Sequence, residues 1–151
     1  MNISQKGLEL IEEFEGFKSC PYHDQVGIPT IGIGTTFYEN GTKVTMQDPC
    51  IDHDRAFQIL SHYLSNTTKL ITSLVKSTIN PNQFDALCSF TYNIGDGGFE
   101  HSTVLKLVNV NPNDPAITAA FEMWDKASGH VVEDLVIRRK KEAAYYFTPV
   151  A

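Results

Sequence analysis

Positive charge is scarce in this chain: 12 Lys and Arg stand against 18 Asp and Glu, a net of −6 over 151 residues. With no long basic stripe to displace condensed counterions, non-specific nucleic-acid binding is excluded. Cysteine is scarce too. Cys20, Cys50 and Cys88 cannot all pair within one chain, and none forms a Cys-x-x-Cys. The five histidines include no His-Glu-x-x-His run and no tight pair with cysteine, so a zinc site finds no ligand set. Long apolar runs are missing. The first, Leu8 to Phe14, is interrupted by Glu9, Glu12 and Glu13, and nothing approaches the ~20 residues that cross a bilayer. Repeats and low-complexity tracts are absent as well.

What is present reads as an ordinary folded chain, 42% hydrophobic and 20% charged. Its length makes one domain, with room for a real core shared by two lobes. Cys88, beside Leu87 on an apolar helical face, reads as a buried thiol. Cys20 and Cys50 are expected to be reduced thiols, with pairing under oxidation as the alternative. Arg138, Arg139, Lys140 and Lys141 point in different directions on a helix. They read as a partly solvated face and partly internal ion pairs rather than a polyanion site.

A first helix runs from an N-cap at about Ser4 to Glu15, with Leu8, Ile11 and Phe14 on its apolar face and Gly16 as its stop. Val26-Gly27-Ile28-Pro29 and Thr30-Ile31-Gly32-Ile33-Gly34 then read as short glycine-rich strands. Glycine weakens a strand interior, and close approach of a ligand to backbone is the usual reason for it. Asn40-Gly41 marks a turn. A long helical stretch is expected from about Asp52 to Ile79, where Asn80-Pro81 ends it. Its middle, Ser65 to Thr68, has poor propensity and invites a kink or break. Shorter helices follow over roughly 82–92, 102–108, 115–126 and 133–147, with loops at 95–98 and 111–114. Strands followed by helices give an α+β class: a small N-terminal lobe with a β-hairpin, joined by a long helix to an all-helical C-terminal lobe. Boundaries fall at about 15–55 for the first lobe and 80–151 plus the first helix for the second, within one domain spanning 1–151. A cleft between the lobes is the expected ligand site.

The chemistry is carried by Glu15 at a helix end, Asp24 nine positions on, and Thr30 six beyond that. Two carboxylates on different elements of one small lobe meet the requirement of glycosidic bond cleavage. One donates a proton to the leaving oxygen and the other activates water or stabilises the developing cation. Glu9, Glu12 and Glu13 read as a solvated helix face, whereas Glu15 lies near Ile11 and Phe14 and should face inward, as suits a general acid. Asp24 would otherwise cap a turn, and Thr30 would be only a strand residue. His23 reads as a solvated turn histidine. Phe84, Phe121 and Trp124 read as core before they read as a sugar platform.

These segments resemble the phage-type lysozymes, the muramidase endolysins of glycoside hydrolase family 24. The match runs through Glu15-Gly16-Phe17, Tyr22, Asp24 and Thr30-Ile31-Gly32-Ile33-Gly34. It continues through Gln83 to Leu87, Ser89-Phe90, Asn93-Ile94-Gly95, Ser102-Thr103 and Trp124, then Leu135, Arg138, Arg139 and Glu142. It covers nearly the whole chain in order. The resemblance implies a lysozyme-like fold and a monomer that cleaves the β-1,4 bond between N-acetylmuramic acid and N-acetylglucosamine in peptidoglycan, with inversion. It implies Glu15 as general acid, Asp24 as general base and Thr30 near the attacking water, with Gly34, Thr36, Ser102 and Thr103 binding substrate. Arg138 or Arg139 would either reach Glu15 across the cleft or pair within the helical lobe. No metal or other cofactor is implied, since two carboxylates complete the chemistry. Thr35 stands where the family usually has His, the 37–49 loop is less typical, and the acidic balance differs from many basic relatives. Two rivals share the fold: a lytic transglycosylase using Glu15 alone, and an inactive wall-binding module.

The N-terminus shows no charged-then-apolar leader, which implies an enzyme that accumulates in the host cytoplasm and is released to the cell wall when a holin-like pore opens the inner membrane. Expression of this chain alone in a Gram-negative host is expected to leave cells intact until chloroform or a pore former is added. Prompt lysis without either, blocked by inhibiting the secretory translocon, would overturn that reading of the N-terminus.

Overall fold

The computed structural model describes residues 1–150, which divide into two compact units: Leu8–Ser65, the hairpin unit, and Met1–Gly7 with the chain from Asn66 on, the helical unit. Helix α1 (Gln5–Glu15) contributes to both. Ser4 starts it as the sequence implies: its Oγ accepts the Gly7 N–H at 3.1 Å and donates to the carboxylate of Asp85. Leu8 and Ile11 are buried while Glu9 and Glu13 face water. Gly16 ends the helix at φ +79°, its N–H closing onto the Glu12 carbonyl at 2.7 Å, a left-handed stop that costs glycine nothing.

In the hairpin unit, β1 (Lys18–His23) pairs antiparallel with β2 (Pro29–Gly32), placing Tyr22 opposite Thr30 and His23 opposite Pro29, with an irregularity between Lys18 and Tyr22. The expected first strand at Val26–Pro29 is therefore corrected. Val26 to Ile28 form the turn, and the strand lies earlier, in a segment whose Lys-Ser-Cys-Pro composition hides it. Gly32 has a structural reason of its own. Gly32 takes φ +64° at the end of β2, and a Cβ there would stand 3.1 Å from the Ile51 side chain and 3.2 Å from that of Ala56, so internal packing accounts for it. A tight reversal follows, closed by mutual N–H···O bonds between Ile31 and Thr35 at 2.9 and 3.0 Å. The 37–48 loop is ordered from within: Tyr38 donates its hydroxyl to Asp48 at 2.7 Å, and Arg55 grips Glu39 through two hydrogen bonds of 2.6 and 2.9 Å.

Where one long helix was expected there are two, α2 (His53–Tyr63) and α3 (Ser65–Leu74). The break falls where weak propensity allowed it. The early end of α3, short of Ile79, has a cause remote in sequence. Asn109 accepts the Lys76 N–H at 2.6 Å and donates to the Leu74 carbonyl at 3.0 Å, satisfying groups a longer helix would have used.

The helical unit is built around α4 (Pro81–Ile94), whose Asn80/Gln83 capping box and leading proline fix its start. Gln83 to Thr91 are buried without interruption, so this helix is covered on every side. Around it are α5 (Asp96–Glu100), α6 (Thr103–Val110), α7 (Ala116–Glu122) and α8 (Glu133–Tyr146). Phe90 meets Phe121 edge-on at 4.9 Å, and Phe121 meets Tyr146 at 5.7 Å. Phe84 and Phe121 are core residues and Trp124 packs against them, as read from sequence. Cys88 is fully buried, and desolvation pushes its thiol far up. Two details depart from expectation. Residues 95–98 open a short helix rather than a loop, and the C-terminal region is not all-helical, since β3 (Lys126–Ala127) pairs with β4 (His130–Val131). Two-residue strands carry no periodicity from which to read them. Among the described residues no helix is long and apolar enough to cross a membrane.

Cys20 and Cys50 form a disulfide, with Cα atoms 4.2 Å apart, which corrects the expectation of reduced thiols. Beside it Ile51 and Ser19 exchange two bonds, N–H to carbonyl at 2.8 Å and Oγ to carbonyl at 2.6 Å, so the backbone brings the sulfurs together. A bridge of sequence separation 30 restricts the unfolded chain by about 3–4 kcal/mol on the loop-entropy account. Reduction, or Cys20→Ser with Cys50→Ser, is expected to lower the melting midpoint by roughly 5–15 °C. Calorimetry with and without reductant measures it. Superimposable melts would show that the bridge contributes nothing.

Candidate active site

The turn joining β1 to β2 is organised by Asp24. Its Oδ1 accepts the backbone N–H groups of Val26 and Ile28, both at 2.9 Å, while its own N–H donates to the Ile28 carbonyl at 3.0 Å. This is the capping role that an aspartate before a hairpin commonly takes. It leaves the second carboxylate oxygen, Oδ2, as the chemically available one. Thr30 is 3% exposed and donates its hydroxyl to the same Ile28 carbonyl at 2.9 Å. With its proton committed there, Oγ1 offers lone pairs only, so any water beside it must be the donor.

Glu15, the last residue of α1, is half-buried rather than turned fully inward. Tyr22 is half-buried on β1, opposite Thr30. Its hydroxyl is pushed above the ordinary tyrosine range, first by desolvation and then by the charges of Asp24 and Glu15. The Lys18 ammonium lies 4.1 Å from the centre of the Tyr22 ring. Tyr22 had no role assigned from sequence beyond membership of a motif. Its position near the end of β1, two residues before Asp24, was the available signal. Glu15, Asp24, Thr30 and Tyr22 are four polar groups of one unit, two carboxyl and two hydroxyl, with an ammonium at hand.

Of the remaining candidates, Gly34 and Thr36 belong to the same unit, and Ser102 and Thr103 to the helical unit. Gly34 takes φ +67° in the reversal after β2, and the Thr36 carbonyl accepts the Val44 N–H at 2.9 Å. Ser102 is 2% exposed and caps α6, its Oγ accepting the Leu105 N–H at 3.1 Å and donating to the Phe99 carbonyl at 2.7 Å. Its hydroxyl is occupied by folding. Thr103 is half-buried at the first position of that helix.

Arg138 and Arg139 pair within the helical unit. Both guanidinium groups bond to Glu142, Arg138 at 3.2 Å, and all three residues are at most 5% exposed. Ser89 donates to the same carboxylate at 2.6 Å and accepts from Arg138 through its carbonyl at 3.1 Å. Arg139 also bonds to Asn93 and to the Trp124 carbonyl, the latter at 2.9 Å. Burial lowers the pKa of Arg139 while Glu142 raises it. Residues scattered through the sequence from 89 to 142 are therefore one buried polar network joining α4, α8 and the segment after α7.

Comparison with known proteins gives a consistent picture. Residues 12–142 match the Phage lysozyme family model. The endolysin of Salmonella phage P22 is 37% identical over 148 residues, covering 98% of this chain and 99% of the relative. A crystal structure of a P22 lysozyme mutant superposes with a TM-score of 0.88 over 98% of this chain and 99% of that one, at 36% identity. The muramidase domain of SpmX from Asticaccaulis excentricus superposes with a TM-score of 0.80 at 31% identity, covering 98% and 99%. The endolysin of Bacillus phage B103 is 34% identical over 151 residues, and the match spans 55% of its length.

Removing one charge from the buried network leaves others uncompensated, which costs about 3–5 kcal/mol. Glu142→Gln is expected to lower stability by that much in denaturant titration, with an unchanged slope. A loss under 1 kcal/mol would mean that water reaches the pair.

Proposed function

The chain belongs to the phage lysozyme family, and from that membership we propose that it hydrolyses the β-1,4 bond between N-acetylmuramic acid and N-acetylglucosamine in peptidoglycan, as a single lysozyme-like domain acting as a monomer. The coarser statement, a peptidoglycan-lytic hydrolase of the endolysin type, follows from the family and its relatives. The finer one rests on a single observation: the carboxylate of Asp24 is fixed through Oδ1 beside a Thr30 hydroxyl that can only accept.

In this mechanism a water molecule donates one hydrogen to Thr30 Oγ1 and the other to Asp24 Oδ2. Its lone pair is thereby aimed at the anomeric carbon, and Asp24 takes the proton as the bond forms. Glu15 donates a proton to the departing oxygen. Attack by a water held on one side while the leaving group departs from the other inverts the anomeric centre, which requires the carboxyl groups to stand about 6.5–9.5 Å apart. Tyr22 and Lys18 modulate the field between them. No cofactor enters. Release to the wall through a pore made by another protein remains part of the proposal.

Glu15→Gln is expected to abolish lysis, since an amide cannot donate the proton; acid–base steps of this kind are worth about 10²–10⁴-fold. Asp24→Asn should be nearly as damaging with the fold intact, because the amide oxygen can still accept the two turn N–H groups. Turbidity loss of permeabilised cells gives the rates and mass analysis of the fragments gives the chemistry. More than a tenth of wild-type activity in Glu15→Gln would sink the acid assignment. Full activity in Asp24→Asn, or anhydro ends in the product, would point to a transglycosylase.

A further inference from the structure

The proposed mechanism leaves a second cluster of the hairpin unit unused. His53, the first residue of α2, places Nε2 2.8 Å from Glu12 Oε1. Its ring stacks on Phe17, with centroids 3.7 Å apart and planes inclined by 26°, while Phe57 lies tilted at 6.1 Å. Glu12 and Phe17 bracket Glu15 in the chain, three residues before it and two after. Between them the helix stops, through the Gly16 N–H on the Glu12 carbonyl. One imidazole therefore holds both the last turn of α1 and the first side chain beyond it.

His53 is itself well anchored. Asp52 caps α2 by accepting the Arg55 N–H at 2.8 Å. Just before it, Ile51 is tied to Ser19 and Cys50 to Cys20. The side chains of His53 and Glu12 are 56% and 22% exposed, and a pair so open to water adds little to fold stability. Such an arrangement matters for geometry more than for energy.

We propose that His53 is a positioning residue for the reaction: bridged to Glu12 and stacked on Phe17, it fixes the end of α1 and with it the carboxyl of Glu15. The proposal rests on the reading of Glu15 as general acid. His53 acts through its two neighbours and not on the reacting atoms. A misplaced acid harms proton delivery in the transition state more than it harms binding, so the loss falls on kcat and spares KM.

The experiment compares kcat and KM on solubilised peptidoglycan strands for the wild type, His53→Ala, His53→Gln, Phe17→Leu and Glu15→Gln, with a melting curve for each. His53→Ala is expected to lose about 10–100-fold in kcat, with KM within about twofold. His53→Gln keeps an N–H donor for Glu12 and a flat amide for Phe17, so it should return to within about threefold of wild type. Phe17→Leu, which retains apolar bulk without the stack, should show a smaller loss, also in kcat. A kcat within twofold of wild type in His53→Ala, a loss residing in KM, or equal impairment of the Ala and Gln variants would each overturn the proposal. If His53→Ala melts too low for kinetics, the Gln and Phe17→Leu variants decide it by the same split. Glu15→Gln separates the two readings. Substantial activity in that variant removes the acid assignment itself, whereas a dead Glu15→Gln beside an unimpaired His53→Ala removes only the role of His53.

Discussion

The backbone of one residue, Ile28, sets the geometry of the candidate active site. Its N–H goes to Asp24 Oδ1, and its carbonyl receives both the Asp24 N–H and the Thr30 hydroxyl. Three hydrogen bonds on one residue join the base to the group that would hold the water. A carboxylate held by two backbone donors cannot rotate without giving up both, and each bond is worth about 1 kcal/mol or more when an ionised acceptor is involved. The turn therefore supplies the preorganisation. Asp24 closes the hairpin with one oxygen, which leaves the other for the proposed chemistry, so the structural role and the catalytic role read from sequence as alternatives are compatible in a single side chain.

A turn so arranged is useful only if the helix end carrying Glu15 is held with comparable care. The segment from Phe17 to Cys20 is stitched to the segment from Cys50 to His53 by a disulfide, a pair of hydrogen bonds and a ring stack. These ties are covalent, polar and aromatic, and none depends on burying a large apolar surface. That suits a small unit in which the proposed catalytic segment would have to stay open to a polymer. The closed loop from Cys20 to Cys50 contains Asp24, Thr30, Gly34 and Thr36, so of the site residues read from the sequence in the hairpin unit only Glu15 lies outside one covalent ring.

Much of this was legible in the sequence, for identifiable reasons. The start and stop of α1 were local signals, Ser4 and Gly16, and local chemistry governs both. Asn80-Pro81, read as the end of the preceding helix, instead opens α4, with Asn80 as its cap. The failures are non-local. The end of α3 is decided by Asn109, more than thirty residues away. The disulfide is decided by the pairing of Ser19 with Ile51, which a count of cysteines cannot contain. The first strand was misplaced because β-branched residues drew attention to Val26–Pro29, while the paired segment holds serine, cysteine and proline. For the site, the family resemblance pointed to Glu15, Asp24 and Thr30 as candidates, whereas the direction of the Thr30 hydroxyl and the positions of Tyr22 and His53 required coordinates.

The residues that made the family resemblance broad do not all serve chemistry. Ser89, Asn93, Trp124, Arg138, Arg139 and Glu142 converge in the helical unit on a single carboxylate with two guanidinium partners. The Trp124 and Ser89 carbonyls and the Asn93 amide oxygen, each contributed by a different part of the fold, accept further bonds from these guanidinium groups. Apolar side chains of similar volume would fill the same space at a smaller desolvation cost, yet would tolerate sliding of α8 along α4. Directed bonds to fixed carbonyls do not. A signature of this kind marks the packing register of the helices, and it explains why matching it in sequence carries the fold so reliably while naming no catalytic group.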